Sequence, residues 1–200
     1  MAQGFTLWLT GLAASGKSEL ADRLEEALLE RGLDVEKIDE GEIRQQWLAS
    51  LGFEKSEGDG LVRFLGHICN LLTRNGVVTI AAAVSPYLEI RNELRGQIGN
   101  FVEVYLKCPA EACEKKDASG NYQRARAGEL KDFSGVDAPY EEPVQPEIIL
   151  ETDQGDVEDS TKKVLKTLEI MGLIPRMAGG DYNEEEEEKI TKRLKDLGYI

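Results

Sequence analysis

The chain has 200 residues, 41% of them hydrophobic, and its 38 acidic and 24 basic side chains leave a formal net charge of −14. That length suits one α/β domain with a real core and is too short for two full domains with linkers. The charge argues against non-specific binding to nucleic acid or to an anionic membrane, since either would be repelled over most of the surface, so a small anionic substrate needs a local basic pocket.

From the start, Met1-Ala2-Gln3-Gly4 runs straight into a strand-like Phe5–Thr10, with neither a basic opening nor the long apolar stretch of an export signal. No apolar run approaches the roughly 20 residues that span a bilayer, and a cytoplasmic location is expected. Short apolar runs at Phe5–Thr10, Val35–Asp39, Val77–Val84, Phe101–Leu106 and Ile148–Leu150 read as strands. Between them, Leu20, Leu24 and Leu28 mark one helix face, and Leu61, Leu65, Ile68 and Leu72 mark another. Strands alternating with helices predict a mainly parallel sheet covered on both faces, a three-layer α/β/α fold whose ligands sit at the carboxyl ends of the strands.

Two stretches depart from this rhythm. Residues 118–147 hold Gly120, Gly128, Gly135, Pro139, Pro143 and Pro146 among many charges. That is too long for an ordinary connection and is read as a lid. After a closing helix over Val157–Met171, the pattern breaks and resumes at Asp181–Ile200, where Ile190, Leu194 and Leu197 share a face and Asn183 with Glu186 can cap the start. The chain thus divides into a domain over 1–174 and a linker with an amphipathic helix over 175–200, docking on the domain or on a partner. The cysteines, Cys69, Cys108 and Cys113, are odd in number and lack the paired spacing of a zinc site, so they are read as free thiols in a reducing compartment.

The chemistry starts at Gly11-Leu12-Ala13-Ala14-Ser15-Gly16-Lys17-Ser18, which matches the Walker A pattern in the context that pattern requires, a strand before it and a helix after it. Its glycines let the backbone curl so that N–H groups and the positive end of the helix surround the phosphates of ATP. Lys17 would reach the β and γ phosphates, and Ser18 would coordinate Mg²⁺. Gly11, Ala13, Ala14, Ser15 and Gly16 complete the nucleotide-binding loop. A chain of this size with a lid and no guanine-reading motif points to a P-loop kinase for a small metabolite, where closure excludes water.

Further segments carry a resemblance. Gly4–Leu12, the phosphate loop, Leu51-Gly52-Phe53, Ser85-Pro86-Tyr87 and above all Ala125–Glu141, with its Ala127-Gly128-Glu129-Leu130-Lys131-Asp132-Phe133-Ser134-Gly135 run, make residues 4–174 similar to the adenylylsulfate kinases. The resemblance implies transfer of the γ-phosphate of ATP to the 3′-hydroxyl of adenosine 5′-phosphosulfate. It also implies that Phe53 and Phe133 sandwich the acceptor's base, that Arg44 and Arg63 hold its anionic end, that Ser85 touches the acceptor, and that Lys131 stands near the transferring phosphates. Members of that family are often dimers, which implies a homodimer here. Should the tail helix dock on a partner rather than on the domain, the partner expected in a regulatory role is a sulfate-activating one.

The acceptor side departs from the family's pattern. Where the family has Asp-Gly-Asp, this chain reads Asp39-Glu40-Gly41-Glu42. Ungapped, the key acid position is Gly41; with one residue deleted, Glu42 becomes the candidate base, with Asp39 as the fallback. Gly58, Leu61 and Phe64 replace an arginine, an asparagine and an arginine, and Leu88 stands where an arginine is frequent. Three readings follow: an adenylylsulfate kinase with a rearranged base, a related kinase for another nucleotide-like alcohol, and a catalytically weak nucleotide-binding module with a regulatory role.

Overall fold

The computed structural model describes residues 4–46, 55–176 and 184–200. Phe53, expected to stack on the acceptor's base, and the capping residue Asn183 lie outside the described residues. There are five strands, β1 (Thr6–Thr10), β2 (Val35–Asp39), β3 (Val78–Ala82), β4 (Phe101–Lys107) and β5 (Ile148–Glu151). The described helices are α1 (Lys17–Glu30), α2 (Glu40–Gln46), α3 (Lys55–Thr73), α4 (Leu88–Gln97), α5 (Ala110–Lys116), α6 (Asn121–Arg126), α7 (Val157–Ile170) and α8 (Glu184–Asp196).

All four strand pairings are parallel, in the order β2-β3-β1-β4-β5, with Thr6 of β1 opposite Thr79 of β3 and Phe101 of β4. The central strands β1, β3 and β4 are buried on both faces, which explains why they read as apolar runs rather than as alternating patterns, whereas the edge strand β2 exposes Glu36. On one face, Phe5, Leu7 and Leu9 meet Leu20, Leu24 and Leu28 of α1 and Val164 and Leu168 of α7. On the other, Trp8, Ala81 and Ala83 meet Leu61, Leu65 and Cys69 of α3 and Ile90 and Leu94 of α4. Each leucine so buried contributes on the order of 2 kcal/mol of transfer free energy, which fixes the three layers. The centre of the sheet is β1, so the loop that follows it opens at the carboxyl edge, where connections diverge to either side.

The stretch read as a lid contains α6 and a tight turn in which Asp137 Oδ1 and Oδ2 accept from the backbone N–H groups of Phe133 and Asp132. It has a small core of its own: Tyr122, Ala125 and Phe133 pack with Cys108 and Cys113 against Leu12, Ala13 and Ala14 of the phosphate loop. The tail helix lies on the domain. Leu194 is fully buried, Lys166 of α7 pairs with Glu187 at 2.9 Å, and Arg193 Nε donates to the carbonyl of Glu147 at 2.9 Å. The three cysteines are free and buried. Among the described residues, no helix is long and apolar enough to cross a membrane.

Candidate active site

The phosphate loop is shaped by its backbone. Gly16 sits at φ 95°, in the left-handed region where only glycine is unstrained, and hands the chain to α1. At Gly11 any Cβ would lie 2.6 Å from the carbonyl oxygen of Leu106, so the approach of the loop to β4 requires a glycine. Ala14 takes a left-handed φ of 58°, a local strain held by the surrounding packing. The turn leaves Ser15 Oγ buried without a hydrogen-bond partner, a polar atom for which a bound phosphate would supply the missing acceptor. Lys17 Nζ donates to the carbonyls of Gly11 at 3.0 Å and Leu12 at 2.7 Å, which keeps the ammonium inside the loop. Burial pushes its pKa down to about 8, against the opposing pull of Glu40 and Asp39.

Two neighbours tie the loop to the rest of the site. Ser18 Oγ donates to Asp39 Oδ2 at 2.6 Å, so the hydroxyl at the start of α1 meets the carboxylate at the end of β2. Those are two hard oxygen donors beside the phosphate cradle, the donor type Mg²⁺ takes alongside phosphates and water. The other oxygen of Asp39 accepts from the N–H groups of Gly41 and Glu42 and so caps α2.

That cap decides where the next carboxylates point. Glu40 is buried and lines an open cleft beside Ala13. Its Oε1 accepts from Arg44 Nε at 2.9 Å and its Oε2 from the N–H of Val84 at 2.9 Å. Glu42, two residues further along α2, points away from the cleft, where it accepts from Lys37 Nζ at 3.0 Å with about half its side chain exposed. The cleft is walled by Arg44 and Glu40 from α2, Gly58, Asp59 and Val62 from α3, the Val84–Tyr87 turn, and Asp132–Ser134 from the lid.

The structure therefore gathers Arg44, Ser85 and Phe133 around one cleft and sets Lys17, Ser18 and Asp39 beside it. Phe133 is held edge-on by Tyr122, with ring centroids 5.0 Å apart. Lys131 is exposed, just before the stretch that lines the wall. Arg63 lies elsewhere: its Nε donates to Glu93 at 2.8 Å on the outside of α3. Leu61 is packed into the core between α3 and the sheet, Phe64 is exposed, and Gly58 lies next to Arg44. Sequence reasoning did not single out Asp59, Asp132 and Tyr87 as lining residues, since their placement depends on α3 and the 118–147 segment meeting across the cleft; the Ser85-Pro86-Tyr87 and Ala127–Gly135 runs were the available signals for the last two.

A phosphate cradle and a cleft with a buried carboxylate share a wall at Ala13, an arrangement that can hold a phosphoryl donor and an acceptor side by side. A family model described as adenylylsulphate kinase matches residues 3–151. The chain belongs to the adenylylsulphate kinase family. It is 45% identical over 174 residues to an adenylyl-sulfate kinase of Rippkaea orientalis, covering 87% of this chain and 96% of that protein. The solved structure of the Mycobacterium tuberculosis APS kinase in complex with AMPPNP and APS is 34% identical, with a TM-score of 0.78 over 84% of this chain and 99% of that one. A probable bifunctional SAT/APS kinase of Sorangium cellulosum is 42% identical over 86% of this chain, a stretch that makes up 30% of that longer protein.

Proposed function

We propose that this member of the family transfers the γ-phosphoryl group of ATP to the 3′-hydroxyl of adenosine 5′-phosphosulfate, giving 3′-phosphoadenosine 5′-phosphosulfate and ADP. The observation that carries the reading is Glu40, a buried carboxylate facing an acceptor cleft that adjoins the phosphate loop.

The loop's N–H groups and Lys17 hold the phosphates, and Ser15 Oγ gains the acceptor it lacks. Mg²⁺ fits at Ser18 Oγ and Asp39, where it would neutralise charge on the transferring phosphates. Of the three neighbouring acids, Glu40 is the one that lines the cleft, whereas Asp39 is held by Ser18 and the cap of α2 and Glu42 by Lys37. Arg44 and the N–H of Val84 fix the Glu40 carboxylate, each using one lone pair of an oxygen and leaving another to accept the proton of the acceptor hydroxyl. Phe133 offers the base a face at the lid, and Phe53, as the resemblance implies, the other. Arg44 is the cation for the acceptor's anionic end, and Lys131 reaches in from the lid's rim. Closure of the lid over the loop excludes water, so the phosphoryl group goes to the acceptor rather than to hydrolysis.

One observation favours a second reading. The described lining holds three carboxylates, Glu40, Asp59 and Asp132, and a single arginine. That balance suits a less anionic, nucleotide-like alcohol. ADP release from Mg-ATP, measured with adenosine 5′-phosphosulfate, with other nucleotides and with no acceptor, decides between them. Strong stimulation by adenosine 5′-phosphosulfate is expected; stimulation only by a less charged nucleotide overturns the first reading, and none by any acceptor favours a regulatory module. The longer S. cellulosum relative supports association with a sulfate-activating partner.

A further inference from the structure

A ladder of alternating charges, buried at Arg91, Glu103 and Glu147 and partly exposed at Arg95 and Tyr199, runs from the acceptor cleft to the tail. Arg91 of α4 is 1% exposed, and its guanidinium donates to the carbonyl of Ser85 and to that of Glu141, each at 2.5 Å. Its Nε donates to Glu103 Oε1 of β4 at 2.9 Å. Arg95 donates to the other oxygen of Glu103 at 3.1 Å and, through both terminal nitrogens, to the two oxygens of Glu147 at 2.6 and 2.9 Å. Glu147, the residue where the lid segment enters β5, accepts also from the N–H of Glu103 and from the hydroxyl of Tyr199 at 2.6 Å. Arg193 of α8 donates to the carbonyls of Pro146 and Glu147.

Every rung has two partners, and a buried charge deprived of one must move or stay uncompensated. The near end of the ladder is the wall of the acceptor cleft. Ser85 sits at a left-handed φ of 39°, a conformation that needs external support, and the carbonyl it presents is held by Arg91. The lid's return is fixed at the same place, since the N–H of Glu141 donates to Pro86 and Glu141 Oε2 accepts from the N–H of Leu88. The far end belongs to the C-terminal segment, which lies beyond the family model's last matched residue, 151. The R. orientalis relative aligns over nearly its whole length and still leaves residues of this chain unmatched.

We propose that the C-terminal segment is a positioning element for the acceptor site: Tyr199 and Arg193 lock Glu147 and, through Arg95, Glu103 and Arg91, hold the Ser85–Pro86 turn and the lid's return at Glu141. The inference rests on the cleft being the acceptor site. It assigns the tail a larger effect on the acceptor than on ATP, because the ladder ends on the cleft wall and meets the approach to the phosphate loop only through Ser85 Oγ, which donates to Thr10 Oγ1.

The test uses the full chain carrying Tyr199→Phe, Arg193→Gln, Arg91→Lys, and the Tyr199→Phe/Arg91→Lys pair. For Tyr199→Phe and Arg193→Gln, the acceptor KM is expected to rise about threefold to tenfold, the size of one ordinary lost hydrogen bond, with the ATP KM changing less than about twofold. In the double variant the two effects are expected to multiply to less than their product, the signature of one network. Amide exchange at Leu88 and Glu141 should quicken in Tyr199→Phe while the phosphate loop keeps its protection. That readout is independent of which acceptor the wild type turns over, so a failed activity assignment is told apart from a failed ladder. A lower melting temperature with unchanged acceptor KM and unchanged exchange at Leu88 and Glu141 would overturn the proposal, as would an equal rise in both KM values. Should Arg91→Lys fail to fold, the two tail variants and the exchange measurement decide alone.

Discussion

The phosphate cradle takes its residues from one run, Gly11–Ser18, with Asp39 as its distant member, whereas the cleft beside it draws on α2, α3, the Val84–Tyr87 turn and the lid. In the cradle, local backbone geometry does most of the positioning, and it comes with the glycines. In the cleft, each wall is placed by packing elsewhere: α2 by the Asp39 cap, the turn by Arg91, the lid by the small core around Tyr122 and Phe133. A change in the cradle should therefore strike the chemical step, and a change in the cleft the acceptor and its hydroxyl.

The largest expected effect is at Lys17. Lys17→Ala removes the one side-chain cation inside the loop, and kcat should fall on the order of a hundredfold to a thousandfold, the size of losing a fixed charge aimed at the transferring group. A steady-state ADP assay reads it, and near-normal turnover would dissolve the distinction between the two regions. Next comes the carboxylate pair. Glu40→Gln should lower kcat by about a hundredfold with the ATP KM unchanged, as expected for loss of a general base, whereas Glu42→Gln should stay within about twofold. A larger loss for Glu42→Gln would mean that α2 reorients to bring Glu42 to the acceptor.

That pair also shows where sequence reading stopped. The five strands were legible to within a residue or two, the central ones because strands buried on both faces appear as plain apolar runs, and α1 was legible from its leucine spacing. The shorter helices α2, α4, α5 and α6 were not, since each buries only one to three side chains, too few to set a period. In the site, Lys17 and Ser18 followed from the motif. Asp39, Glu40 and Glu42 lie within four positions, and spacing alone could not say which one faces the acceptor. The direction is set by Asp39 capping α2, a tertiary fact with no local signature. Arg63 is the converse case. It matches an acceptor arginine by position, yet its partner is Glu93, thirty residues away on a packed helix. The tail helix was legible as amphipathic, but the choice between domain and partner needed Leu194, Arg193 and Tyr199 to be seen on the domain.

The smallest expected effect is one of pH, and it sharpens the comparison because it belongs to the cradle alone. Burial lowers the Lys17 ammonium to about 8 in the free protein, so as pH rises through that value the free protein sheds the proton. Phosphates in the loop add negative charge and raise the pKa, so the complex keeps the proton. Binding above pH 8 must therefore take a proton up, and nucleotide affinity should be level below pH 8 and weaken by up to about tenfold per unit above it. Calorimetric titration with the nucleotide in two buffers of different ionisation heat measures that uptake: near zero at pH 7, approaching one proton at pH 9, and absent in Lys17→Ala. Zero uptake at pH 9 would mean that Glu40 and Asp39 outweigh the burial and hold Lys17 charged before any nucleotide arrives, and the cradle would then be electrostatically complete in the free protein.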